Sequence, residues 1–225
     1  MVTRRRLAPP TVVCLVRHAS TPTTGKVLPG RAPGLHLSAE GREEAERTAT
    51  RLAGLRGLAA LYTSPLERAR ETAAVIGRAT GLRPRVERGL LECDFGEWTG
   101  AELAVLSRSP EWPVVVSRPS TFRFPGGESF VELEARVVTT IERLVGRHQG
   151  EVIIAVSHAD PIKVALGHAL GAPLDAMQRI QVSPASVSAI AYGPRGPLVL
   201  AQNVADGLQT LRVLGAHGAT RGRSR

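Results

Sequence analysis

The stretch TVVCLVRH at residues 11–18 decides the fold class, because a short run of apolar and β-branched residues ends abruptly in two polar ones. Such a run is typical of a strand that is buried on both faces of a sheet. Two later runs have the same form, LAALYT at residues 58–63 and EVIIAV at residues 151–156. We therefore predict three buried strands in the core of an α/β protein.

Helical patterns lie between and behind these strands. A serine or aspartate can cap the start of a helix, and a proline after it suits the first helical position. From these signals and from apolar spacing, helices are predicted to start at Ser38, Ser64-Pro65, Glu128 and Asp160-Pro161 and to end near Gly54 or Gly57, Thr80, Arg147 and Leu170. The alternation indicates a three-layer α/β/α sandwich with a mainly parallel central sheet.

The remaining segments carry weaker signals. Residues 83–127 are predicted to be rich in loops, with one helix at about residues 100–107. Towards the C-terminus the pattern predicts β segments that are separated by Gly/Pro turns and lie at a sheet edge. These segments are residues 180–182, 187–192 and 198–203. An exposed edge of this kind could pair in a homodimer.

The formal net charge of +9 at first suggests an anionic macromolecular partner. Most of the excess, however, comes from six arginines at the two ends of the chain, Arg4, Arg5, Arg6, Arg221, Arg223 and Arg225. We predict a single domain at residues 11–214, between disordered basic tails at residues 1–10 and 215–225. No basic stretch is interleaved with aromatic residues, so no nucleic-acid partner is expected.

Composition also bears on location and cofactors. No run of eighteen apolar residues occurs, which argues against a membrane span. The arginines near the N-terminus are not followed by an apolar segment of the kind that signal peptides contain. The two cysteines, Cys14 and Cys93, form neither a disulfide framework nor a zinc cluster. A reducing cytoplasm is therefore the expected location.

Polar side chains stand where the buried strands end. His18 follows Arg17 at the end of one strand, and His158 follows Ser157 at the end of another. Ligands of open α/β sheets bind beyond the carboxyl ends of the strands. Two predicted helices also start there, with Arg68 one turn into the first, and free N–H groups at helix starts favour phosphate. The sequence therefore predicts an anion site at this edge.

A zinc site built from His18, His158 and a carboxylate is the obvious rival interpretation. Arg17 and Arg68 would, however, bring fixed positive charge to the same point and so disfavour a divalent cation. Nucleotide-binding glycine patterns, the serine-hydrolase elbow and the zinc-protease motif are all absent from the sequence.

Six segments, in order along the chain, resemble motifs of the histidine phosphatase superfamily, which includes the phosphoglycerate mutases. LVRHA at residues 15–19 is similar to the R-H-G signature of that family. The other five are LSAEG at 37–41, SPLERARETA at 64–73, LECDFGEWTG at 91–100, FPGGES at 124–129 and VSHA at 156–159. Any one of these matches is weak, but six in order are highly specific, and they imply a phosphoglycerate mutase-like fold.

The resemblance implies a set of roles for the strand-end residues. His18 is expected to attack phosphorus and become phosphorylated, which a neutral imidazole can do near pH 7. Arg17, Arg68 and His158 are expected to hold the phosphoryl group, and guanidinium forks match its oxygens. The resemblance implies neither a metal ion nor another cofactor.

The resemblance also implies a carboxyl that gives a proton to the leaving alkoxide and later takes one from water. Glu92 occupies the matching position. Asp94 and Glu97 lie nearby in the sequence and are rivals for this role, so the preference for Glu92 rests on the resemblance alone.

The sequence departs from the family pattern at three positions. Ala19 and Ala159 each follow a motif histidine where glycine is usual. Thr24 stands where many mutases carry asparagine, and it is expected to hydrogen-bond phosphate. We also expect Arg31 and Ala159 to contact the substrate. The change at Thr24 leaves the substrate preference open.

Three functions remain on the sequence alone. The first is a metal-independent phosphomonoester hydrolase that acts through a phosphohistidine on a small phosphorylated metabolite. The second is a phosphomutase, which uses the same residues but returns the phosphoryl group to the substrate. The segment at residues 98–126 is short for a mutase, which favours hydrolysis. The third is a non-catalytic module that binds a phosphorylated ligand.

Overall fold

The computed structural model describes residues 9–205, and both predicted basic tails lie wholly or largely outside this range. Its strands are β1 (Thr11–Arg17), β2 (Leu58–Thr63), β3 (Pro84–Val86), β4 (Val152–Ser157), β5 (Val187–Gly193) and β6 (Gly196–Val204). They form one sheet in the order β3-β2-β4-β1-β5-β6. The first four strands are parallel, whereas β5 runs antiparallel to both of its neighbours. The prediction of a mainly parallel sheet is confirmed.

Helices cover both faces of the sheet. They are α1 (Ala39–Ala53), α2 (Glu67–Thr80), α3 (Leu103–Leu106), α4 (Trp112–Ser117), α5 (Phe130–Arg147) and α6 (Ala159–Ala169). Cys14 and Val16 of β1 pack with α1 and α2, while Val13 and Leu15 pack with α5 and α6. Alternate residues of the central strand therefore serve two cores, which confirms the three-layer arrangement. Within residues 9–205, no helix combines the length and apolarity that a membrane span requires.

The helix α2 starts two residues later than predicted. Its N-cap position is Leu66, which makes no capping side-chain bond, and its first residue is Glu67. The Ser64 hydroxyl, which was predicted to cap this helix, instead bonds His158 Nε2 at 2.8 Å. Ser64 and His158 are distant in the sequence but follow neighbouring strands, so a contact between two strand ends has replaced a local cap.

The helix α6 starts two residues earlier than predicted, because His158 rather than Asp160 is its N-cap residue. Asp160 therefore lies inside the first turn, where its carboxylate accepts a bond from Lys163 Nζ at 3.2 Å. A carboxylate in this turn also interacts favourably with the helix dipole.

The C-terminal β segments form one hairpin at the sheet edge, made of β5 and β6. The third predicted segment, residues 180–182, is not a strand. Its Val182 carbonyl accepts a bond from Arg17 Nη1 at 2.7 Å and so belongs to the surroundings of the site. The three-residue strand β3 was not predicted, because so short a run carries no periodicity.

The segment between β3 and α5 contains an aromatic cluster that the sparse aromatic composition did not suggest. All four phenylalanines and both tryptophans of the chain belong to it: Phe95, Trp98, Trp112, Phe122, Phe124 and Phe130. Most of these rings meet edge to face or tilted, with centroids about 5 Å apart, a favourable arrangement for aromatic pairs. Phe95, Phe124 and Phe130 belong to the apolar core between the sheet and helices α5 and α6, and Trp98 and Phe122 pack against that core.

Candidate active site

The carboxyl ends of β1, β2 and β4 meet because β4 lies between the other two strands. The hydrogen-bond ladder of the sheet continues one residue beyond the ends of β1 and β2. His18 N donates to the Ser157 carbonyl at 2.9 Å, and Ser64 N donates to the Val156 carbonyl at 2.9 Å. The strand-end residues are consequently held by backbone bonds rather than by a flexible loop, and His18, Ser64 and His158 form one row.

The His18 ring is buried and its tautomer is set by its neighbours. Nδ1 bonds the Ala19 carbonyl at 2.8 Å, and because a carbonyl can only accept, Nδ1 carries the proton. Arg68 Nε donates to Nε2 at 3.2 Å, so Nε2 presents its lone pair towards a positive charge. Burial, together with Arg68 and Arg17, holds the pKa of His18 well below its ordinary value. The imidazole is thus neutral near pH 7, as a nucleophile must be.

Three buried nitrogen atoms near His18 make no hydrogen bond within residues 9–205: Arg17 Nε, Arg68 Nη1 and His158 Nδ1. Other atoms of the two guanidinium groups are held, since Arg17 Nη1 bonds Val182 O and Arg68 Nη2 bonds Gly30 O at 2.8 Å. Buried donors without a partner are costly, so their concentration here indicates a built site for an anion.

The ring centroid of His158 lies 5.1 Å from that of His18. The Ser64 hydroxyl accepts from Leu66 N at 3.4 Å and bonds His158 Nε2 at 2.8 Å, a bond in which either group can be the donor. When the hydroxyl donates, the ring proton lies on Nδ1, and this atom, which makes no bond within residues 9–205, can donate to an anion. Burial and the neighbouring Arg68 lower the pKa of His158, so it donates as a neutral imidazole.

Glu92 is buried beside the same charges, and its Oε1 accepts from Cys93 N at 3.0 Å. Burial and the Asp160 carboxylate raise the pKa of Glu92 to about 7, against the opposing effect of Arg68 and Arg17. A carboxyl with this pKa can both release and accept a proton at neutral pH. The resemblance favours Glu92 over its rivals, and its burial beside Arg17 and Arg68 supports that assignment, which stays a prediction.

The two rival carboxylates lie in different surroundings. Asp94 bonds Gly96 N and Arg31, each at 3.1 Å, and its side chain is 40% exposed. Glu97 is exposed to solvent. Of the three carboxyls, only Glu92 combines burial with proximity to both arginines.

The remaining predicted substrate contacts are placed as follows. Thr24 Oγ1 accepts from Thr21 N at 2.8 Å and so closes a turn after the nucleophile. Ala159 is the first residue of α6, directly after His158. Arg31 bonds Glu92 O, Asp94 and Glu128 through its three nitrogen atoms. Their contacts with substrate stay predictions.

Two residues that support the nucleophile were missed by the sequence reasoning. Thr72 Oγ1 accepts from Ala19 N at 3.1 Å and donates to the Arg68 carbonyl at 2.8 Å. Glu44 accepts from both Ser20 N and Ser20 Oγ, at 2.8 and 2.9 Å. Thr72 lies one turn after Arg68 on the same helix face, a spacing that could have indicated it. No local pattern marks Glu44.

Comparison with known proteins agrees with this geometry. The family model described as "Histidine phosphatase superfamily (branch 1)" matches residues 13–205. The chain is 33% identical over 212 residues to the bifunctional protein Rv2228c of Mycobacterium tuberculosis, a match that covers 93% of this chain and 55% of that protein. The chain thus spans about half the length of that relative.

Two further relatives match over most of their own length. Phosphoserine phosphatase 1 of Hydrogenobacter thermophilus is 31% identical over 198 residues, which cover 84% of this chain and 90% of that protein. The solved structure of YhfR from Bacillus stearothermophilus superimposes with a TM-score of 0.79 at 25% identity, covering 86% of this chain and 96% of that one. This chain belongs to branch 1 of the histidine phosphatase superfamily.

Proposed function

We propose that the protein is a metal-independent phosphomonoester hydrolase that acts through a phosphohistidine on a small phosphorylated metabolite. One observation carries the proposal: a buried, neutral His18 presents Nε2 beside three buried donors without partners. The similarity to phosphoserine phosphatase 1 over 84% of the chain supports hydrolysis. Within residues 9–205, no group of histidine, cysteine, aspartate and glutamate side chains is arranged to hold a metal ion.

In the first step, His18 Nε2 attacks phosphorus and the bond from phosphorus to the ester oxygen breaks. Arg17, Arg68 and His158 would hold the equatorial oxygens, on which the transition state spreads its negative charge. Glu92, which is protonated below about pH 7, gives its proton to the leaving oxygen. The products of this step are the free alcohol and a phosphorylated His18.

In the second step, water attacks the phosphorus atom and the phosphorus–Nε2 bond breaks. The Glu92 carboxylate takes a proton from the water as it attacks, which restores the acid for the next cycle. His18 regains its lone pair and inorganic phosphate leaves. Every proton is accounted for by Glu92, so the cycle needs no external base.

The test is turnover of p-nitrophenyl phosphate in the presence of EDTA, measured for the wild type, His18→Ala and the control His168→Ala. His168 lies at the end of α6 with a side chain that is 48% exposed. The wild type and the control should remain active with EDTA, whereas His18→Ala should be inactive. Activity that EDTA abolishes, or that survives His18→Ala, would contradict the mechanism.

Two additions to this experiment, an acceptor alcohol and a measurement of phosphate binding, separate hydrolysis from its alternatives. A phosphomutase would pass the phosphoryl group from His18 to an added alcohol, so phosphate release would fall as the acceptor concentration rises. A non-catalytic module would bind inorganic phosphate but never form phosphohistidine. The short segment at residues 98–126 supports hydrolysis, because it offers little chain with which to exclude water.

A cytoplasmic location is also proposed. Its support is that Cys14 and Cys93 are both buried and unpaired, as expected for a protein from a reducing compartment. The partner is proposed to be a small phosphate ester, with no nucleic acid involved. A homodimer through the edge strand β6 stays a prediction.

A further inference from the structure

A second cluster of charges lies beside the phosphate site. Glu128 stands between two arginines, with Oε2 accepting from Arg31 Nη2 at 3.1 Å and from Arg136 Nη2 at 2.9 Å. Its Oε1 accepts from Arg136 Nε at 2.9 Å. The Glu128 side chain is only 13% exposed, so the surrounding protein screens these bonds less than it would a surface pair. We call this group the Arg31–Glu128–Arg136 bridge.

Both arginines of the bridge also bond the backbone of the loop that carries Glu92. Arg31 Nε donates to the Glu92 carbonyl at 2.9 Å, and Arg136 Nη2 approaches the same oxygen at 3.4 Å. Arg136 Nη1 donates in addition to the carbonyls of Gly89 and Leu91, at 2.8 and 3.0 Å. The guanidinium groups therefore bond the main chain before the acid and at the acid itself.

The bridge also holds the loop directly after the acid. Glu128 N donates to the Asp94 carbonyl at 2.8 Å, and Asp94 N donates back to Glu128 Oε2 at 3.3 Å. On the other side, Gly30, which precedes Arg31, accepts from Arg68 Nη2 at 2.8 Å. A short path of direct bonds thus runs from the phosphate-binding Arg68 to the backbone of Glu92.

We propose that the Arg31–Glu128–Arg136 bridge sets the distance between the acid Glu92 and the phosphoryl group on His18. Arg31 and Arg136 are positioning residues in this proposal, because their guanidinium groups bond the loop that carries Glu92. For Arg31 this role replaces the contact with substrate that the sequence suggested. An error of about 1 Å in the placement of a catalytic group can lower a rate about a hundredfold. The inference rests on the proposed function, in which Glu92 protonates the leaving group.

The experiment uses two substrates that differ in their need for an acid. p-Nitrophenolate leaves readily without a proton, whereas the alkoxide from β-glycerophosphate requires one. Arg31→Met and Arg136→Met keep the apolar stem but remove the fork. Each should lower kcat/KM on β-glycerophosphate about tenfold more than kcat/KM on p-nitrophenyl phosphate, because kcat/KM reports the phosphorylation of His18, the step in which the leaving groups differ. Arg136→Lys should restore part of that loss.

The matched control is Arg143→Met, on the same helix as Arg136. Its guanidinium bonds Glu87, a residue that precedes the segment 89–94 bonded by the bridge. It should lower kcat/KM on the two substrates by the same small factor. If circular dichroism shows that either methionine variant is unfolded, Glu128→Gln replaces it. This change keeps the side-chain shape and weakens the bonds to both arginines at once.

Two results would overturn the inference. One is an equal loss on both substrates, which would reduce the bridge to a structural role. The other is a raised KM with unchanged kcat in Arg31→Met, which would make Arg31 a substrate contact. Failure of the proposed function itself is distinguishable, because the wild type would then show no EDTA-resistant, His18-dependent turnover.

Discussion

At the residue scale, the chemistry of the site depends on the surroundings of single side chains rather than on their identity. Glu92, Asp94 and Glu97 are equivalent in the sequence, and only burial beside Asp160 raises the pKa of Glu92 towards 7. The strand-end position of His18 could be predicted because it follows an apolar run. Its tautomer could not, because the Ala19 carbonyl and Arg68 that set it are brought to the ring by the folded backbone.

Replacement of the acid should affect activity and stability in opposite directions. Glu92→Gln should lower kcat/KM on β-glycerophosphate by about 10²–10⁴-fold, with a smaller loss of kcat/KM on p-nitrophenyl phosphate, because the amide cannot protonate the alkoxide. The control Glu97→Gln, at an exposed carboxylate, should leave the activity on both substrates unchanged. Equal losses of Glu92→Gln on both substrates would contradict an acid role.

The same variant should be more stable than the wild type at high pH. The pKa of Glu92 in the folded protein lies above its ordinary value of 4.5, at about 7, so the folded state binds an extra proton between these values. Stability from this group therefore falls as pH rises through that window. Thermal unfolding should show Glu92→Gln gaining stability relative to the wild type at pH 8 and little at pH 5.

The Asp160 carboxylate should tune the pH dependence of the reaction. It raises the pKa of Glu92, so Asp160→Asn should lower that pKa and move the alkaline limb of kcat/KM on β-glycerophosphate to lower pH. The substrate is already a dianion in this range, since phosphate esters lose their second proton near about pH 6. An alkaline limb that stays in place would show that another group controls it.

At the element scale, helix packing supports the loop that follows the nucleophile. The sequence predicted α1 and α5 closely because their signals are local: Ser38 caps one, and the apolar residues of the other share one face. It misplaced the start of α2 because the Ser64 hydroxyl bonds His158, which is distant in the sequence. It misplaced the start of α6 because the helix begins before Asp160, whose carboxylate bonds Lys163 within the same helix.

The glycine in the LSAEG segment should be sensitive to a single added carbon. A Cβ at Gly41 would lie 2.0 Å from the Ser20 carbonyl oxygen, a backbone atom two residues after His18. Gly41→Ala should therefore destabilise the fold by about 1–3 kcal/mol and lower kcat, because the loop or the helix α1 must move. Urea unfolding and p-nitrophenyl phosphate turnover measure the two effects.

A matched glycine on another helix provides the control. Gly146 lies in the last turn of α5, and a Cβ there would meet no atom within 4 Å. Gly146→Ala should leave turnover unchanged and stabilise the protein by up to about 0.5–1 kcal/mol, since alanine favours helix. A neutral Gly41→Ala, or a destabilising Gly146→Ala, would contradict this account of the packing.

At the scale of the whole molecule, sheet order determines where the site can form. Parallel strands bring their carboxyl ends to one edge, so three polar strand ends were enough to predict an anion site there. The order β3-β2-β4-β1 was not predictable, because register and neighbours depend on the packing of both faces. The short strand β3, and the absence of the strand predicted at residues 180–182, likewise depend on that packing rather than on a local pattern.

Inorganic phosphate should stabilise the whole fold through this edge. A ligand that binds only the folded state adds about 2.7 kcal/mol at a hundred times its Kd. Thermal unfolding in phosphate, compared with chloride at matched ionic strength, should show a higher midpoint for the wild type and for Arg143→Met. Arg68→Met should lose most of this gain, and a full gain in that variant would place the anion elsewhere.

The aromatic cluster between β3 and α5 has a consequence for spectroscopy. Both tryptophans of the chain, Trp98 and Trp112, lie in it, with their ring centroids 6.4 Å apart. Intrinsic emission excited at 295 nm, a wavelength that selects indole, therefore reports on the aromatic cluster and not on the central sheet. Trp98 lies in the segment 91–100 that also carries Glu92, so this emission is a native optical probe of that segment and needs no dye label.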